Sequence, residues 1–479
     1  MEDGMICDYD VIVIGGGGAG MAAAITAHDS GARVALLEAA DQLGGSTALS
    51  GGVVYGAPTS VQRSAGIEDD SVDAMYEYYM TLNQFKVEPA IVRRLCELSG
   101  PAIEWLIRLG VKFDPADLYA SGVESVARGH KATGNGAGIT EVLDREVSRR
   151  EIDVSRGCRV TALHTDEGGA ARGVVLDGET VSARNVIIAT GGFGHNKLLL
   201  NRHYPEAARH GDWTWAITAK TCTGDGLLMG QEAGADIAGH NRGLLLTTPG
   251  FYRDLEVFVP GWLVYVNREG RRFIDETTEY AVMSGVVKDQ LGGSVFAVFD
   301  ETARATAVPE PRYADAHQAG IITLNWVTDK IDEQIAKGKV MKADTLAELA
   351  DMAGVERNTF ETTISRYNSD YEKGEDSKFR KDASLMKPVS QPPFYAAEIR
   401  PAIVCLTSTG LRVDEDMHVL DSADQPISGL FSAGEVSGGV LGDRYIGGGN
   451  SIANAIVFGR VAGEQAAREA GATANREPA

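Results

Sequence analysis

The sequence predicts an α/β fold in two parts: a nucleotide-binding domain built on a parallel sheet, interrupted by a smaller α+β domain. Three observations predict it. Val11-Ile-Val-Ile14 is a continuous apolar run, as a buried parallel strand is, and it passes directly into Gly15-Gly16-Gly17-Gly18-Ala19-Gly20. From about residue 236 to 400 the texture changes to more charge and more aromatics. After that, glycine-rich strand-and-turn segments return, in Gly429 to Glu435 and in Arg444 to Ser451. The expected division is 1–235 with 401–479 for the nucleotide-binding domain and 236–400 for the inserted one.

The first segment carries the most information. The glycine run satisfies GxGxxG, a small-residue helix follows to about Ser30, Gly31 can stop it, and Val34-Ala-Leu-Leu37 is a second strand ending at Glu38. In such a βαβ unit Gly15 makes the tight turn, Gly17 lets backbone approach a pyrophosphate, and Gly20 allows close helix packing. Glu38, at the tip of the second strand, is placed to accept from ribose hydroxyls. The unit alone leaves FAD and NAD both open.

Further along, Gly44-Gly45-Ser46-Thr47 is a second small-residue turn. Apolar residues at helical spacing predict two helices over 71–110, with Gly110 as a stop. A strand-rich meander over 153–185 ends in Val186-Ile-Ile188 and Ala189-Thr190-Gly191-Gly192, and Thr223-Gly224-Asp225-Gly226 opens a short helix. Gly134 to Gly138 follows no apolar strand and reads as a loop. Lys373 to Pro393 reads as a polar surface connection.

The bulk numbers exclude several classes. With 479 residues, the chain exceeds one typical core and has room to bury a flat cofactor. A net charge of −22 opposes binding to nucleic acid or anionic lipid. The 5 cysteines are scattered without a CxxC, so reduced thiols, no structural metal and no attached haem are expected. The start, MEDGM, is acidic where a secretory signal is basic, and no stretch reaches the roughly 20 apolar residues of a membrane span. These features predict a cytoplasmic enzyme.

Taken in order, Gly15 to Gly20 with Glu38, Gly44 to Thr47, Ala189 to Gly192, Thr223 to Gly226, Ala433 to Glu435 and Gly448 to Ser451 resemble the FAD-dependent fumarate reductase and 3-ketosteroid dehydrogenase superfamily. The resemblance implies a Rossmann-like FAD-binding domain with a smaller cap, and FAD held by Gly15, Gly17, Gly20, Glu38, Gly45, Ser46, Thr47, Ala189, Thr190, Gly191, Asp225, Gly434, Glu435, Asn450, Ser451 and Ile452. Electrons then pass to an external acceptor such as a quinone, a dye or oxygen. Asn450-Ser451 lead into an alanine-rich helix, whose uncapped amides and partial positive charge suit an anionic reduced flavin. The preceding glycines are expected to let the chain pass close to the ring, a close helix crossing being the alternative.

The resemblance also bears on the substrate. Fumarate reductases hold a dicarboxylate with arginines and histidines, and their acid arginine follows a "VNxxGxRFxNE" stretch. Here Val266 to Glu276 matches that stretch, and the arginine's position holds Tyr280. The second arginine corresponds to Tyr445 and a histidine to Leu406. Enzymes of the ketosteroid group that act at the 1,2-bond carry a tyrosine base after "RFxNE", and a Y-P-G-x-G motif whose tyrosine hydroxyl and last glycine amide hold the ketone. Tyr280 and Tyr445-Ile-Gly447-Gly448-Gly449 match these. Gly51 to Tyr55, with Pro58 to Met75, is more similar to the enzymes acting at the 4,5-bond, so the bond attacked stays open. The chain is thus most similar to the ketosteroid dehydrogenases.

The chemistry can be stated from the residues. Desaturation beside a ketone needs a base for the α-proton, a hydride acceptor for the β-position and donors to the oxygen. Tyr280 is expected to take the proton, with the Tyr445 hydroxyl and Gly449 amide as the clamp. A phenol near pKa 10 needs a neighbour to lower it. In reverse the same groups make an ene-reductase. The expected substrate is a cyclic ketone, with a 3-ketosteroid leading. Alternatives are a smaller ketone such as 4-oxocyclohexanecarboxylate, a fumarate-type enoate reductase, and a non-enzymatic electron-transfer module. Among lesser candidates, Tyr265, Trp213, Trp215 and Trp262 read as packing, and His240 as an ordinary histidine. Tyr119 and His130 lie in a loop able to line a pocket, Arg444 could meet a substrate carboxylate, and Glu276 and Glu279 read as a solvated edge.

Overall fold

A computed structural model describes residues 7–121, 123–318 and 322–472. The chain forms two compact units, one of Met1–Arg209, Ala216–Leu244 and Val404–Ala479, the other of His210–Trp215 and Leu245–Ile403.

The first unit is built on an 8-stranded sheet. Its central order is His418–Leu420, Pro426–Ser432, Glu179–Ile188, Tyr9–Ile14, Val34–Leu37, Asp153–Ser155. The core strands are parallel, with Ile14 opposite both Leu37 and Ile188, and Ile188 opposite Ser432. Apolar runs such as Val11 to Ile14 are buried on both faces, which is why they carry no polar alternation. A hairpin, Ala162–Thr165 with Ala171–Leu176, joins the sheet by antiparallel pairing to the first half of Glu179–Ile188.

Helices Gly18–Asp29 and Asn450–Glu469 cross closely beside this sheet. A Cβ at Gly459 would stand 2.3 Å from the Ala19 carbonyl oxygen, and one at Gly463 2.3 Å from that of Ala23. Small residues on both helices therefore let backbone meet backbone. Helices Val72–Leu82 and Pro89–Leu109 form where the spacing predicts them, and Gly110 ends the second in a left-handed conformation. Gly134 to Gly138 is not a loop: Gly134 caps the helix Asn135–Arg149. The Cβ of any other residue at 136 would strike the Thr47 carbonyl oxygen, so that glycine reports packing rather than chain freedom.

The second unit holds a 6-stranded sheet, in which Phe394–Thr407 lies between Gly243–Thr248 and Val295–Asp300, with Val264–Val266 beyond. One face packs Trp262, Tyr265, Phe299 and Trp326, the other Phe360, Ile364 and Tyr367 of the helix Arg357–Lys373. Lys373 to Pro393 is only partly a surface connection, because Asp376 and Lys381 are buried. Lys381 Nζ donates to Glu276 at 2.9 Å, and Arg272 bridges Glu276 and Asp376, both at 2.9 Å. Glu276 is therefore not a solvated edge. It is 1 % exposed and holds two cations.

Candidate functional site

The register gathers the cofactor candidates of the first unit. Because Ile14, Leu37, Ile188 and Ser432 are level with one another, the chain leaves the sheet at Gly15, Glu38, Ala189 and Ala433 along one edge. The carboxyl ends of parallel strands are where such folds hold ligands. Gly15 has φ +105°, and a Cβ there would meet the Ala189 carbonyl oxygen at 2.5 Å. One at Gly20 would stand 1.7 Å from the Gly15 carbonyl oxygen. Gly17 differs: its Cβ would find only the Gly44 carbonyl oxygen, at 4.0 Å. It caps the helix Gly18–Asp29 without any side-chain hydrogen bond to the first turn. Open space before uncapped helix amides is an anion cradle.

Glu38 is buried and accepts from the Gly16 amide at 2.6 Å and the Ala40 amide at 2.7 Å. Gly45 starts the short helix Gly45–Leu49, Ser46 Oγ accepts from the Ala219 amide, and Thr47 packs against Gly18. Thr190 Oγ1 is buried with no partner among the described residues. Asp225 begins the helix Asp225–Glu232, accepts from the Thr223 hydroxyl and pairs with Arg159. Gly434 turns with φ +81° beside Ala19. Glu435 accepts from Thr407 N at 2.8 Å and from its hydroxyl at 3.0 Å, and burial pushes its carboxyl up to about 7.

The glycine turn is held by an earlier stretch of the chain. A Cβ at Gly447 would strike Ser121 Oγ, one at Gly448 would stand 2.1 Å from Tyr119 Oη, and one at Gly449 2.6 Å from the Val53 carbonyl oxygen. Ser121 Oγ accepts from the Gly448 amide at 2.7 Å. Ser121 N in turn donates to Glu124, which also takes Tyr55 Oη and Arg128, and Arg128 is paired with Asp70. Gly449 adopts φ +97° and opens the helix Asn450–Glu469. The Tyr445 hydroxyl folds back onto that start: it accepts from Ser451 N at 3.1 Å, lies 3.0 Å from Ser451 Oγ, and is hydrogen-bonded by the Gly449 backbone. Burial pushes the phenol up to about 12 against these bonds, so it is protonated at neutral pH.

Asn450 Nδ2 donates to Tyr79 Oη, while its Oδ1 is buried without a partner among the described residues, as are both amide atoms of Asn454. Ile452 is buried beside them. Asn454 and Ser121 escaped the sequence reading. Asn454 sits one turn beyond Asn450 on the same helix face, a spacing that could have found it. No spacing links residue 121 to 448.

In the second unit Tyr280 is the first residue of the helix Tyr280–Lys288, which the Glu279 carboxylate caps at Ala281 N. Its ring meets Phe258 edge-on, 5.8 Å between centroids. Trp262 and Tyr265 are core residues of this unit, as expected. In the first unit His130 is buried, bonded to Thr59 and the Arg128 carbonyl, and His240 is exposed. Among the described residues no helix is long and apolar enough to cross a membrane, and no cluster of metal ligands occurs.

The cradle at Gly17, the buried unpartnered Thr190 Oγ1 and Asn450 Oδ1, and the glycines on the strand ends fit a dinucleotide cofactor lying along the sheet edge. The class is an FAD-dependent oxidoreductase acting on CH–CH bonds. The chain belongs to the FAD binding domain family, whose model matches residues 10–452. It is 32% identical over 470 residues to a fumarate reductase (cytochrome) of Shewanella frigidimarina, covering 96% of this chain and 77% of that protein. It is also 32% identical over 479 residues to a urocanate reductase of Eggerthella lenta, covering 97% and 75%. Among solved structures, it resembles 3-ketosteroid-Δ4-(5α)-dehydrogenase of Rhodococcus jostii, with a TM-score of 0.74, 25% identity, and 97% and 98% of the two chains covered.

Proposed function

We propose that this flavoenzyme removes, or in reverse adds, hydrogen across the C–C bond beside a ring ketone, with a 3-ketosteroid as the leading substrate class. The observation that carries the reading is the Tyr445 hydroxyl. It is a protonated phenol whose oxygen is held by backbone amides at a helix start, at the position that the motif resemblance matches to an arginine of fumarate reductases. Such a group donates to a neutral carbonyl oxygen and offers no charge to a dicarboxylate.

FAD, when bound, would supply the acceptor for the β-hydride, or its donor in the reverse direction. Tyr445 donates to the ketone oxygen, and the amides of Ser451 and Gly449 donate to the phenol oxygen, which draws charge off it and makes its hydroxyl the stronger donor; Gly449, expected to meet the ketone directly, then serves the clamp through Tyr445. Tyr280 takes or gives the α-proton, with its ring steadied by Phe258. Glu38, Ser46, Thr190, Gly191, Glu435, Asn450 and Ser451 hold the cofactor. The unit of residues 245–403 serves as the cap. The near-complete mutual coverage with the Rhodococcus enzyme supports this reading.

A second reading, reduction of an enoate of the fumarate or urocanate kind, is favoured by the 32% identity to reductases that act on those acids. Dye-coupled assays with a 3-ketosteroid, 4-oxocyclohexanecarboxylate, succinate and urocanate, each in the matching direction, separate the two. Fastest turnover of the ketosteroid supports the first reading, and an acid turning over faster than any ketone overturns it.

A further inference from the structure

The second unit contains a basic pocket that the proposed chemistry does not use. A cavity of about 350 Å³ is lined by Arg271, Arg272, Arg366 and Lys378, together with the polar face of the helix Arg357–Lys373. That face supplies Asn358, Thr359, Thr362 and Thr363, which recur at helical spacing along one wall. In a chain of net charge −22, four cations around one opening go against the composition.

Their pairing is unequal. Arg272 is neutralised from behind by Glu276 and Asp376, and its guanidinium is stacked over the rings of Tyr367 and Phe379. Arg271, Arg366 and Lys378 have no carboxylate within ion-pair distance among the described residues. Arg366 donates to the Ser377 hydroxyl at 3.2 Å, and Lys378 Nζ to the Arg272 carbonyl oxygen at 2.9 Å. Burial lowers the Lys378 ammonium, and the positive charges of Arg272, Arg366 and Arg271 lower it further. One carboxylate, Asp370, lines the cavity, and it is occupied by the amide and hydroxyl of Ser377. Glu356 lies at the helix start, where it caps the amides of Asn358 and Thr359. The cations thus face one another across open space with their acidic neighbours already engaged.

We propose that this pocket binds a small phosphate monoester, its phosphoryl oxygens held by Arg271, Arg366 and Lys378 and by the hydroxyl of Thr363. The Thr359 hydroxyl is already bonded to Glu356. Planar guanidinium forks, a compact ammonium and a neutral hydroxyl donor suit a tetrahedral dianion. The cavity exceeds what inorganic phosphate fills, which leaves room for an organic substituent against Tyr367.

The test is calorimetric titration of the FAD-loaded full chain at constant ionic strength. The probes are glycerol 3-phosphate, inorganic phosphate, citrate and chloride. Saturable binding of glycerol 3-phosphate is expected, weakened about tenfold or more in each of Arg366→Gln and Lys378→Gln, a loss of about 1.4 kcal/mol per decade. Thermal midpoint and flavin content should be unchanged in both variants. Phosphate binding as tightly as the monoester identifies free phosphate as the source, and weaker phosphate binding identifies an organic one. Absence of saturable heat overturns the proposal. So does binding that both variants leave intact, or citrate and chloride matching the phosphates.

Discussion

The two units are held by different means. In the first, backbone approaches backbone: Gly20 on Gly15, Gly459 on Ala19 and Gly447 to Gly449 under Val53, Tyr119 and Ser121 leave no room for a side chain. In the second, the centre is made of side chains, with Arg272, Glu276, Asp376 and Lys381 joined in one buried charged cluster beside an aromatic core. The difference teaches where each unit tolerates change. A glycine contact fails at the first added carbon, because a carbonyl oxygen cannot move without its strand. A charge cluster fails when one sign is removed, because the partner stays buried and unpaired.

Four substitutions sharpen this comparison. The largest effect is expected for Gly20→Val, whose Cβ would lie within 1.7 Å of the Gly15 carbonyl oxygen. Flavin measured by absorbance should be lost almost completely, and all turnover with it, because the strand-to-helix turn cannot close around the added carbon. Full flavin content would break the account of the first unit. Tyr280→Phe should retain flavin and lose turnover by about 10²- to 10⁴-fold, the usual range for a proton-transfer group. Near-normal rates with the best substrate would remove Tyr280 from the mechanism.

Arg272→Ala strips the guanidinium from Glu276 and Asp376 and should cost about 3–5 kcal/mol, read from the urea midpoint. A shift no larger than that of an exposed arginine would show that the cluster does not stabilise the second unit. The smallest effect concerns pH. Burial pushes Glu256 up to about 7, although Asn325 donates to it twice. Its folded-state pKa lies above the unfolded value of about 4.3, so the folded chain binds the extra proton. Stability should decline as pH rises from about 4 to 7 on this account and level off above. Glu256→Gln should flatten that slope in thermal melts, and an unchanged slope would contradict the assignment.

The glycine-based half of the molecule was legible because its constraints are local. Gly15, Gly17, Gly20 and Glu38 lie within one βαβ unit, and a strand of apolar residues points to its own turn. Other features were not. Gly134 to Gly138 looks like a loop until the helix Asn135–Arg149 is seen to begin there, with Gly136 beneath Thr47. Glu276 looks like a solvated acid, since Lys381 and Asp376 are about a hundred residues away. The Tyr445 motif was visible, yet the direction of its hydroxyl, back onto Ser451, was not.

By itself the sequence determined the nucleotide-binding architecture, since that rests on side-chain size within a few residues, while the flavin and the two phenols as candidates came from the order of motifs the whole chain shares with a family. Only the tertiary structure decided that Ser121 holds the Gly448 amide, that Asn454 turns unpartnered polar atoms inward, and that Arg271, Arg366 and Lys378 converge. Long-range pairings are set by how sheets and helices pack, and a linear spacing carries no record of that.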